Sequence, residues 1–168
     1  MKLVVRPLDD AAERRVFACG VEALDEWLRV QAGQAQRKRL ASVWIAAPED
    51  RPAEVVGYYS LAPIQIAFED APVALRKKLP RYPISGSLIA RLAIDRRWQR
   101  QGFGGVLLFD ALARSLQASE AVPLQAVIVH AKDEAAAAYY QRFGFQRFPT
   151  RPLHLFLPMA SVAATRRR

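Results

Sequence analysis

The sequence predicts an α/β (α+β) sandwich: a mixed sheet of six or seven strands with helices on both faces. Runs typical of strands alternate with segments of helical periodicity along the 168 residues. The clearest stretch is 88–108, where an apolar run, a glycine turn and an apolar periodic segment succeed one another as strand, loop and helix. A hydrophobic content of 52% suffices for one sizeable core. We therefore expect a single domain over residues 1–160 and a frayed basic tail over 161–168.

The elements before the central strand are predicted from periodicity and turn residues. In chain order we predict a strand over 2–8, a helix over 21–35, antiparallel strands over 41–46 and 54–66, and a short helix over 70–79. Gly57 and Pro63 suggest bends or an edge in the second antiparallel strand. Asp70 is placed to cap the short helix, whose first turn contains Pro72. The basic residues 37–39 that end the first helix suit either the helix dipole or a phosphate contact.

The central strand covers residues 88–94, which are too continuously apolar for a half-solvated strand, so we expect burial on both faces. The helix that begins at Gly102 is amphipathic, and its predicted apolar side comprises Val106, Leu107, Ala111, Leu112 and Leu116. The remaining predicted elements are a strand over 124–130, a helix capped by Asp133 and ended by Gly144, and strands from Phe145 and over 153–157.

The turn at 99–105 contains three glycines and opens a helix. Such a turn lets the backbone approach a ligand closely and leaves the first N–H groups of the helix without partners, so it suits an anion such as a pyrophosphate. A tight strand-to-helix turn with no ligand is the alternative. No Gly-Lys-Ser/Thr follows for a Walker loop, and no strand-borne acidic residue lies about twenty positions on for a dinucleotide fold.

The net charge, the few cysteines and histidines, and the lack of long apolar runs restrict the functions that this protein can have. A net charge of +9 favours acidic ligands, whether small cofactors or nucleic acid, without choosing between them. Cys19 is the only cysteine, which we expect to be a packed thiol rather than a nucleophile, and His130 and His154 lie apart in the sequence, so no metal site is expected. No apolar run reaches about eighteen residues and the N-terminus turns acidic early, so we expect a soluble cytoplasmic protein with no membrane contact.

Two landmarks carry a resemblance to a known family. Gln99-x-x-Gly102-x-Gly104 after the strand RLAID at 91–95 resembles the Q/R-x-x-G-x-G/A signature of the GNAT acyltransferases, and AAAAYYQRFGF at 135–145 resembles their second landmark. The resemblance implies the GNAT fold, in which two parallel strands splay to admit acetyl-CoA, with no metal. It also implies cofactor contacts from the backbone of the central strand, from the turn and from nearby side chains: Leu92, Ala93, Ile94, Arg97, Arg100, Gln101, Gly102, Gly104 and Gly105.

The same resemblance assigns a catalytic role to Tyr140 as the general acid that protonates the departing CoA thiolate. A phenol with a pKa near 10 is protonated at neutral pH and can donate. From the residues alone, either Tyr140 or the adjacent Tyr139 could be a packing residue. Asp133 stands where the family usually has an asparagine that assists CoA binding, so Asp133 is a cofactor-binding candidate by position, although an aspartate departs from the family pattern.

A narrower resemblance spans about residues 17–158. The segments FACGVEALDEWL at 17–28, GYYSL at 57–61, LPRYP at 79–83 and VHAK at 129–132 are similar to the GNAT toxins of type II toxin–antitoxin modules. The implied function is acetylation of the α-amino group of aminoacyl-tRNA, which blocks translation, with a ribbon-helix-helix antitoxin as partner. We expect a homodimer and a tRNA surface that includes Arg76, Lys77, Lys78, Arg81 and Arg91.

Two other functions remain open at this point. One is a GNAT enzyme that acetylates a small amine or a protein N-terminus and has no toxin role. The other is a CoA-binding regulatory module without turnover, against which the presence of Tyr140 argues.

Overall fold

The computed structural model describes residues 1–166, which form a seven-stranded mixed sheet and helices. The strands are β1 (Leu3–Pro7), β2 (Ser42–Pro48), β3 (Gly57–Ile66), β4 (Ile84–Ile94), β5 (Ala126–His130), β6 (Gln146–Phe148) and β7 (Arg151–Pro158). Their order in the sheet is β1-β2-β3-β4-β5-β7-β6. The β4–β5 pair is parallel, whereas β1–β2, β2–β3, β5–β7 and β6–β7 are antiparallel. The predicted mixed α/β fold is confirmed.

The helices are α1 (Glu22–Glu26), α2 (Ala32–Arg37), α3 (Val73–Arg76), α4 (Phe103–Ala121), α5 (Glu134–Gln141) and α6 (Met159–Arg166). A π-helical segment, Trp27–Gln31, joins α1 to α2. The predicted first helix is confirmed, and it consists of an α-helical, a π-helical and a second α-helical segment in continuous succession. The prediction of Asp70 as a helix cap is wrong. Asp70 ends a separate 3-10 turn, Phe68–Asp70, and α3 begins after Pro72 without a side-chain cap.

The described residues pack as two compact units. The first unit comprises residues 1–62 and 90–111, and the second comprises 63–89 and the residues from 112 onward. The core of the first unit includes Phe17, Leu28 and Tyr58, and the hydroxyl of Tyr58 donates to the Leu24 carbonyl at 2.7 Å. The core of the second unit includes Ile84, Ile128, Phe148 and Phe156. The single domain over 1–160 stays a prediction.

Two predictions about which residues are buried need correction. In β4, Ile89 and Ala93 are buried but Ala90 is exposed, so burial on both faces holds for only part of the strand. In α4, Val106 is 45% exposed, because the buried stripe follows Leu107, Leu108 and Ala111.

The predicted frayed tail is wrong as far as residue 166, because α6 buries Met159 and Val162 one helical turn apart. Residues 167 and 168 of that tail lie outside the described residues. Within residues 1–166, no helix has both the length and the apolar character that crossing a membrane requires.

Candidate active site

The glycine turn lies between the end of β4 and the start of α4, all within the first unit. A 3-10 turn, Arg96–Trp98, follows β4, and the Gly102 carbonyl accepts the first intrahelical hydrogen bond, from Val106 N at 3.3 Å. The N–H groups of residues 103–105 therefore precede the hydrogen-bonded ladder of α4. Because α4 is 19 residues long, its dipole adds a partial positive charge at this end. The turn can therefore hold an anion with backbone donors.

Side chains on both sides of the turn fix its shape. The Gln99 amide donates to the Ile94 carbonyl at 2.9 Å and to the Cys19 carbonyl at 2.7 Å. Asp95, only 1% exposed, accepts from the backbone N–H groups of Arg97 (3.0 Å) and Ala18 (3.2 Å). Burial pushes the pKa of Asp95 upward, but the hydrogen bonds from Arg97 and Ala18 outweigh it and hold the pKa below its usual value. The carboxylate therefore stays charged and anchors the turn.

The two arginines predicted at this site have different surroundings. The Arg97 side chain donates to Asp95 at 2.9 Å and lies 3.6 Å from Glu54, so its charge is largely satisfied. Arg100 is exposed and adopts a left-handed backbone conformation, with φ 61°. No hydrogen bond or ion pair of the Arg100 side chain occurs among residues 1–166. Arg100 is thus the freer cation of the two.

Gly57 brings β3 against the end of β4, and the prediction of a bend or an edge at this glycine is wrong. A Cβ at Gly57 would lie 2.6 Å from Ile94 Cδ1 and 2.8 Å from the Ala93 carbonyl oxygen. β3 is flanked by β2 and β4 in the sheet, so it is not an edge strand. The segment with Leu92, Ala93 and Ile94 therefore packs directly against the backbone of Gly57, where a side chain would not fit.

Tyr140 belongs to the second unit, near the C-terminus of α5. Its half-buried ring packs edge-on against Phe145 at 5.7 Å and Tyr139 at 5.6 Å. Burial, with a smaller contribution from Tyr139, raises the pKa of Tyr140 to about 12, so the phenol is protonated at neutral pH. The Tyr140 hydroxyl makes no hydrogen bond within residues 1–166, which leaves its proton available to a ligand.

Tyr139 has a different environment from its neighbour. Its ring packs against Phe143 at 5.1 Å, and the Arg142 guanidinium lies 5.3 Å from the ring centroid. Burial also raises the pKa of Tyr139. The packing contacts of Tyr139 suit a structural role.

The other predicted residues of the second unit are Asp133 and the basic cluster. Asp133 caps α5, because its carboxylate accepts from Ala136 N at 2.8 Å, as predicted. The segment with Arg76, Lys77, Lys78 and Arg81 leaves α3, and its last three cations are exposed. Lys78 has φ 66°, and the Arg76 guanidinium lies 5.7 Å from the Phe68 ring.

Arg91 belongs to the first unit and is half-buried in β4. Its guanidinium lies 4.0 Å from the centroid of the Trp27 ring, in cation–π contact. Burial lowers the pKa of Arg91, with a smaller opposite influence of Tyr58. Sequence spacing carries no signal of the Trp27 contact, which depends on the packing of α1 and the π-helical segment beside the sheet.

His130 and His154 are brought together, contrary to the prediction that they are separate. They face each other in the β5–β7 register, and their rings stack at 3.8 Å. Together with Asp70 and Arg151 they line a cavity of about 170 Å³. Burial lowers the pKa of both imidazoles, and the Arg151 charge lowers it further. The contact requires β5 and β7 to be neighbours in the sheet, an order that the periodicity of the sequence does not supply.

No group of three or more metal-ligating side chains is found in the part of the chain that the structure describes. The Cys19 thiol donates to the Val21 carbonyl at 3.6 Å. Burial, followed by the hydrogen bond with Asp25, raises the pKa of Cys19 to about 11. Cys19 is therefore a thiol at neutral pH and is not activated as a nucleophile.

The chain is similar to known proteins along most of its length. The family model described as an acetyltransferase (GNAT) domain matches residues 39–147. A tRNA-acetylating toxin of Mycobacterium tuberculosis is 37% identical over 159 residues, covering 95% of this chain and 93% of that protein. A solved structure of AtaT complexed with acetyl-methionyl-tRNAfMet is 28% identical, with a TM-score of 0.89, and the match covers 98% of this chain and 99% of AtaT.

A second AtaT structure is a tyrosine-to-phenylalanine mutant bound to acetyl-CoA and the C-terminus of the antitoxin AtaR. It is 28% identical, with a TM-score of 0.83, and the match covers 99% of each chain. The family model covers well over half of the sequence and includes the glycine turn, β5 and α5. The chain is therefore an N-acetyltransferase and belongs to the GNAT acetyltransferase family.

Proposed function

We propose that this enzyme transfers the acetyl group of acetyl-CoA to the α-amino group of aminoacyl-tRNA and thereby acts as a toxin that blocks translation. The observation that carries the proposal is the 37% identity to a tRNA-acetylating toxin along 95% of the chain. The net charge of +9 supports a polyanionic substrate. The structure of AtaT with an acetylated aminoacyl-tRNA supports the same substrate class.

The glycine turn is the proposed cofactor site. The N–H groups of Gln101, Gly102, Gly104 and Gly105 hold the pyrophosphate of acetyl-CoA, and the exposed Arg100 adds charge. Leu92, Ala93 and Ile94 pair through their backbone with the pantetheine arm, and an N–H near Ala93 polarises the thioester carbonyl. Arg97 acts mainly by fixing Asp95, since its guanidinium is already engaged. Asp133 approaches the cofactor from its capping position.

Tyr140 is the proposed general acid. The α-amine attacks the thioester carbonyl carbon, the C–S bond breaks, and the CoA thiolate takes the Tyr140 proton while water takes the amine proton. An α-amine has a pKa near 7.7–8.0, whereas a lysine ε-amine is near 10.4 and is almost wholly protonated at pH 7. Electron withdrawal by the ester lowers the pKa of the α-amine further. A site with one tyrosine acid and no dedicated base therefore suits aminoacyl-tRNA.

The direct experiment is to incubate the protein with acetyl-CoA and charged total tRNA and to identify acetylated aminoacyl groups by mass spectrometry. Acetylated aminoacyl-tRNA is the expected product. Acetylation confined to small amines or protein N-termini would instead establish an enzyme without a tRNA substrate. Acetyl-CoA binding with no turnover on any acceptor would indicate a regulatory module.

Two neighbouring tyrosines provide a matched test of the acid. Tyr140→Phe removes the hydroxyl and keeps the ring, so single-turnover acetylation of charged tRNA should fall about 10²-fold or more with acetyl-CoA binding retained. Tyr139→Phe should leave the rate of single-turnover acetylation nearly unchanged. Full activity in Tyr140→Phe, or an equal loss in Tyr139→Phe, would refute the assignment.

The cofactor and tRNA surfaces have separate tests. Gly104→Glu should abolish acetyl-CoA binding through bulk and charge, measured by calorimetry on folded protein. Charge reversal at Lys77, Lys78 and Arg81 should lower tRNA acetylation and leave acetyl-CoA affinity unchanged. Unchanged tRNA acetylation in this triple variant would remove the basic cluster from the substrate surface.

We also infer the assembly and the setting in which the enzyme acts. The AtaT complex with AtaR supports an antitoxin partner, for which we propose the ribbon-helix-helix class. We propose a homodimer that works in the cytoplasm, where charged tRNA is found. Co-expression with a ribbon-helix-helix protein that binds this chain should relieve growth inhibition, and light scattering should give twice the mass of 18.8 kDa. A monomeric mass would overturn the dimer.

A further inference from the structure

A pocket of about 430 Å³ lies within the first unit, apart from the glycine turn. Its volume is in the usual range of ligand sites. Its walls come from the π-helical segment, α2 and its C-terminal loop, and strands β3 and β4. The lining includes two cations, Lys38 and Arg91, two carboxamides, Gln31 and Gln34, and the ring of Trp27, and it contains no acidic residue.

Arg91 is held in the pocket by a stack of rings. Trp27 is 7% exposed and lies nearly parallel to the buried Tyr58, with ring centroids 6.0 Å apart and an interplanar angle of 13°. The Arg91 guanidinium lies 4.0 Å from the centroid of the Trp27 ring. This stack fixes the guanidinium, so little side-chain entropy is lost when it binds a ligand.

The Arg91 guanidinium has no acidic partner among residues 1–166. No hydrogen bond or ion pair of the Arg91 guanidinium occurs among residues 1–166, although the residue is half-buried. A partly desolvated cation without a counter-ion is costly, and its five N–H donors require acceptors. Lys38, the second cation, is exposed at the end of α2, and its ammonium group makes no hydrogen bond or ion pair among residues 1–166. Both side chains can therefore donate to an anionic ligand.

We propose that this pocket binds a phosphorylated nucleotide from the single-stranded 3′ end of aminoacyl-tRNA, with Arg91 and Lys38 on one phosphate. The proposal rests on the proposed tRNA substrate. A duplex is too wide for such a pocket, whereas an unstacked nucleotide can enter it. Gln31 and Gln34 can hydrogen-bond to a base edge or ribose, and the outer face of the Arg91 guanidinium can stack on a base. The phosphates of CoA offer the same chemistry, so the experiment separates the two sources.

The experiment compares Arg91→Gln, Lys38→Gln and the double variant with Arg15→Gln, which removes one exposed charge in the same unit outside this pocket. Affinity for charged tRNA is measured by filter binding at several salt concentrations, and acetyl-CoA affinity by calorimetry. Each pocket variant should weaken tRNA binding about tenfold, as expected for a charged hydrogen bond. The double variant should be little worse than the poorer single variant, because both cations bind one phosphate.

Two further readouts identify the phosphate. The slope of log affinity against log salt should fall by about 0.7 in the double variant, the value for one single-strand phosphate. The 5′-phosphorylated trinucleotide CCA should bind the wild-type protein, and it should bind Arg91→Gln about tenfold more weakly. Arg15→Gln should leave the salt slope unchanged and the trinucleotide affinity within about twofold of wild type. Because Lys38 is exposed, its variant keeps the test valid even if Arg91→Gln lowers the melting temperature.

Three results would overturn the proposal. Loss of acetyl-CoA affinity with unchanged tRNA affinity would assign the pocket to the cofactor. If Arg15→Gln lost as much tRNA affinity as the pocket variants, the effect would come from the net positive charge of the protein and not from the pocket. Unchanged tRNA and trinucleotide affinity in both pocket variants would show that the pocket does not bind the 3′ end of tRNA. Trinucleotide binding is independent of turnover, so absence of tRNA acetylation by the wild-type protein would refute the proposed function separately.

Discussion

At the scale of single residues, two glycines near the end of β4 are required for different physical reasons. Gly57 is crowded, because a Cβ there would lie 2.6 Å from Ile94 Cδ1. Gly102 has nothing within 4 Å of its Cβ position, but its φ is +84°. The first position excludes a side chain by contact, and the second disfavours one by backbone conformation.

Alanine substitutions should separate these two causes. Gly57→Ala should lower the free energy of unfolding by about 1–3 kcal/mol through overpacking. Gly102→Ala should cost about 1 kcal/mol, and Gly102→Asn less, because asparagine tolerates the left-handed region. Urea denaturation of the three variants tests this. If Gly102→Asn were as unstable as Gly102→Ala, the conformational explanation would be wrong.

At the scale of elements, α5 depends on its N-terminal cap. Asp133→Ala should lower the free energy of unfolding by about 1 kcal/mol, since the Ala136 N–H loses its acceptor. Asp133→Asn keeps a capping oxygen and should be close to wild type in stability. Acetyl-CoA affinity, measured on the same variants, tests the cofactor contact separately. An alanine variant as stable as wild type would contradict the capping role.

The histidine pair makes the β5–β7 ladder sensitive to acid. Folding lowers the pKa of His130 and His154, mainly through burial. The His154 charge and then the Arg151 charge lower the pKa of His130 further, and the Arg151 charge lowers that of His154. Below the unfolded pKa of about 6.5, the unfolded chain binds more protons than the folded one, so stability falls as the pH falls. His154→Phe keeps a stacked ring and removes one titrating group. Its loss of stability between about pH 7.5 and 5 should be smaller than that of wild type, measured by urea denaturation.

At the scale of the whole molecule, the net charge of +9 should make tRNA binding strongly dependent on salt. Four duplex phosphate contacts predict about a 100-fold loss of affinity when salt rises fourfold, from about 50 to 200 mM. Acetylation of aminoacyl-adenosine, which has no phosphate, should change little over that range. If both substrates lost activity equally, the salt effect would not come from phosphate contacts.

Local patterns were readable from the sequence, whereas long-range pairings were not. The glycine turn and the Asp133 cap depend on residues close together in the chain, and both are found where predicted. The contacts of His130 with His154 and of Arg91 with Trp27 join distant segments. Such contacts require the strand order and helix packing, which periodicity alone does not supply.

Two errors arose from ambiguous local signals. The sequence suggests a bend or an edge at Gly57, but its role is close packing inside β3. The C-terminal segment was predicted as a basic tail, although Met159 and Val162 are one helical turn apart and both are buried in α6. In both cases, burial against another element decided the structure.

The left-handed backbone of Arg39, Lys78 and Arg100 implies a trade-off between stability and binding. These are the non-glycine residues with positive φ in residues 1–166, and all three are basic. Glycine fits this conformation better, so Arg100→Gly should match or exceed wild-type stability, whereas arginine to glycine inside a helix costs about 1 kcal/mol. The same change should weaken acetyl-CoA binding by removing a cation beside the turn. Selection for folding alone would favour glycine at Arg100, and selection for binding a polyanion would retain the cation.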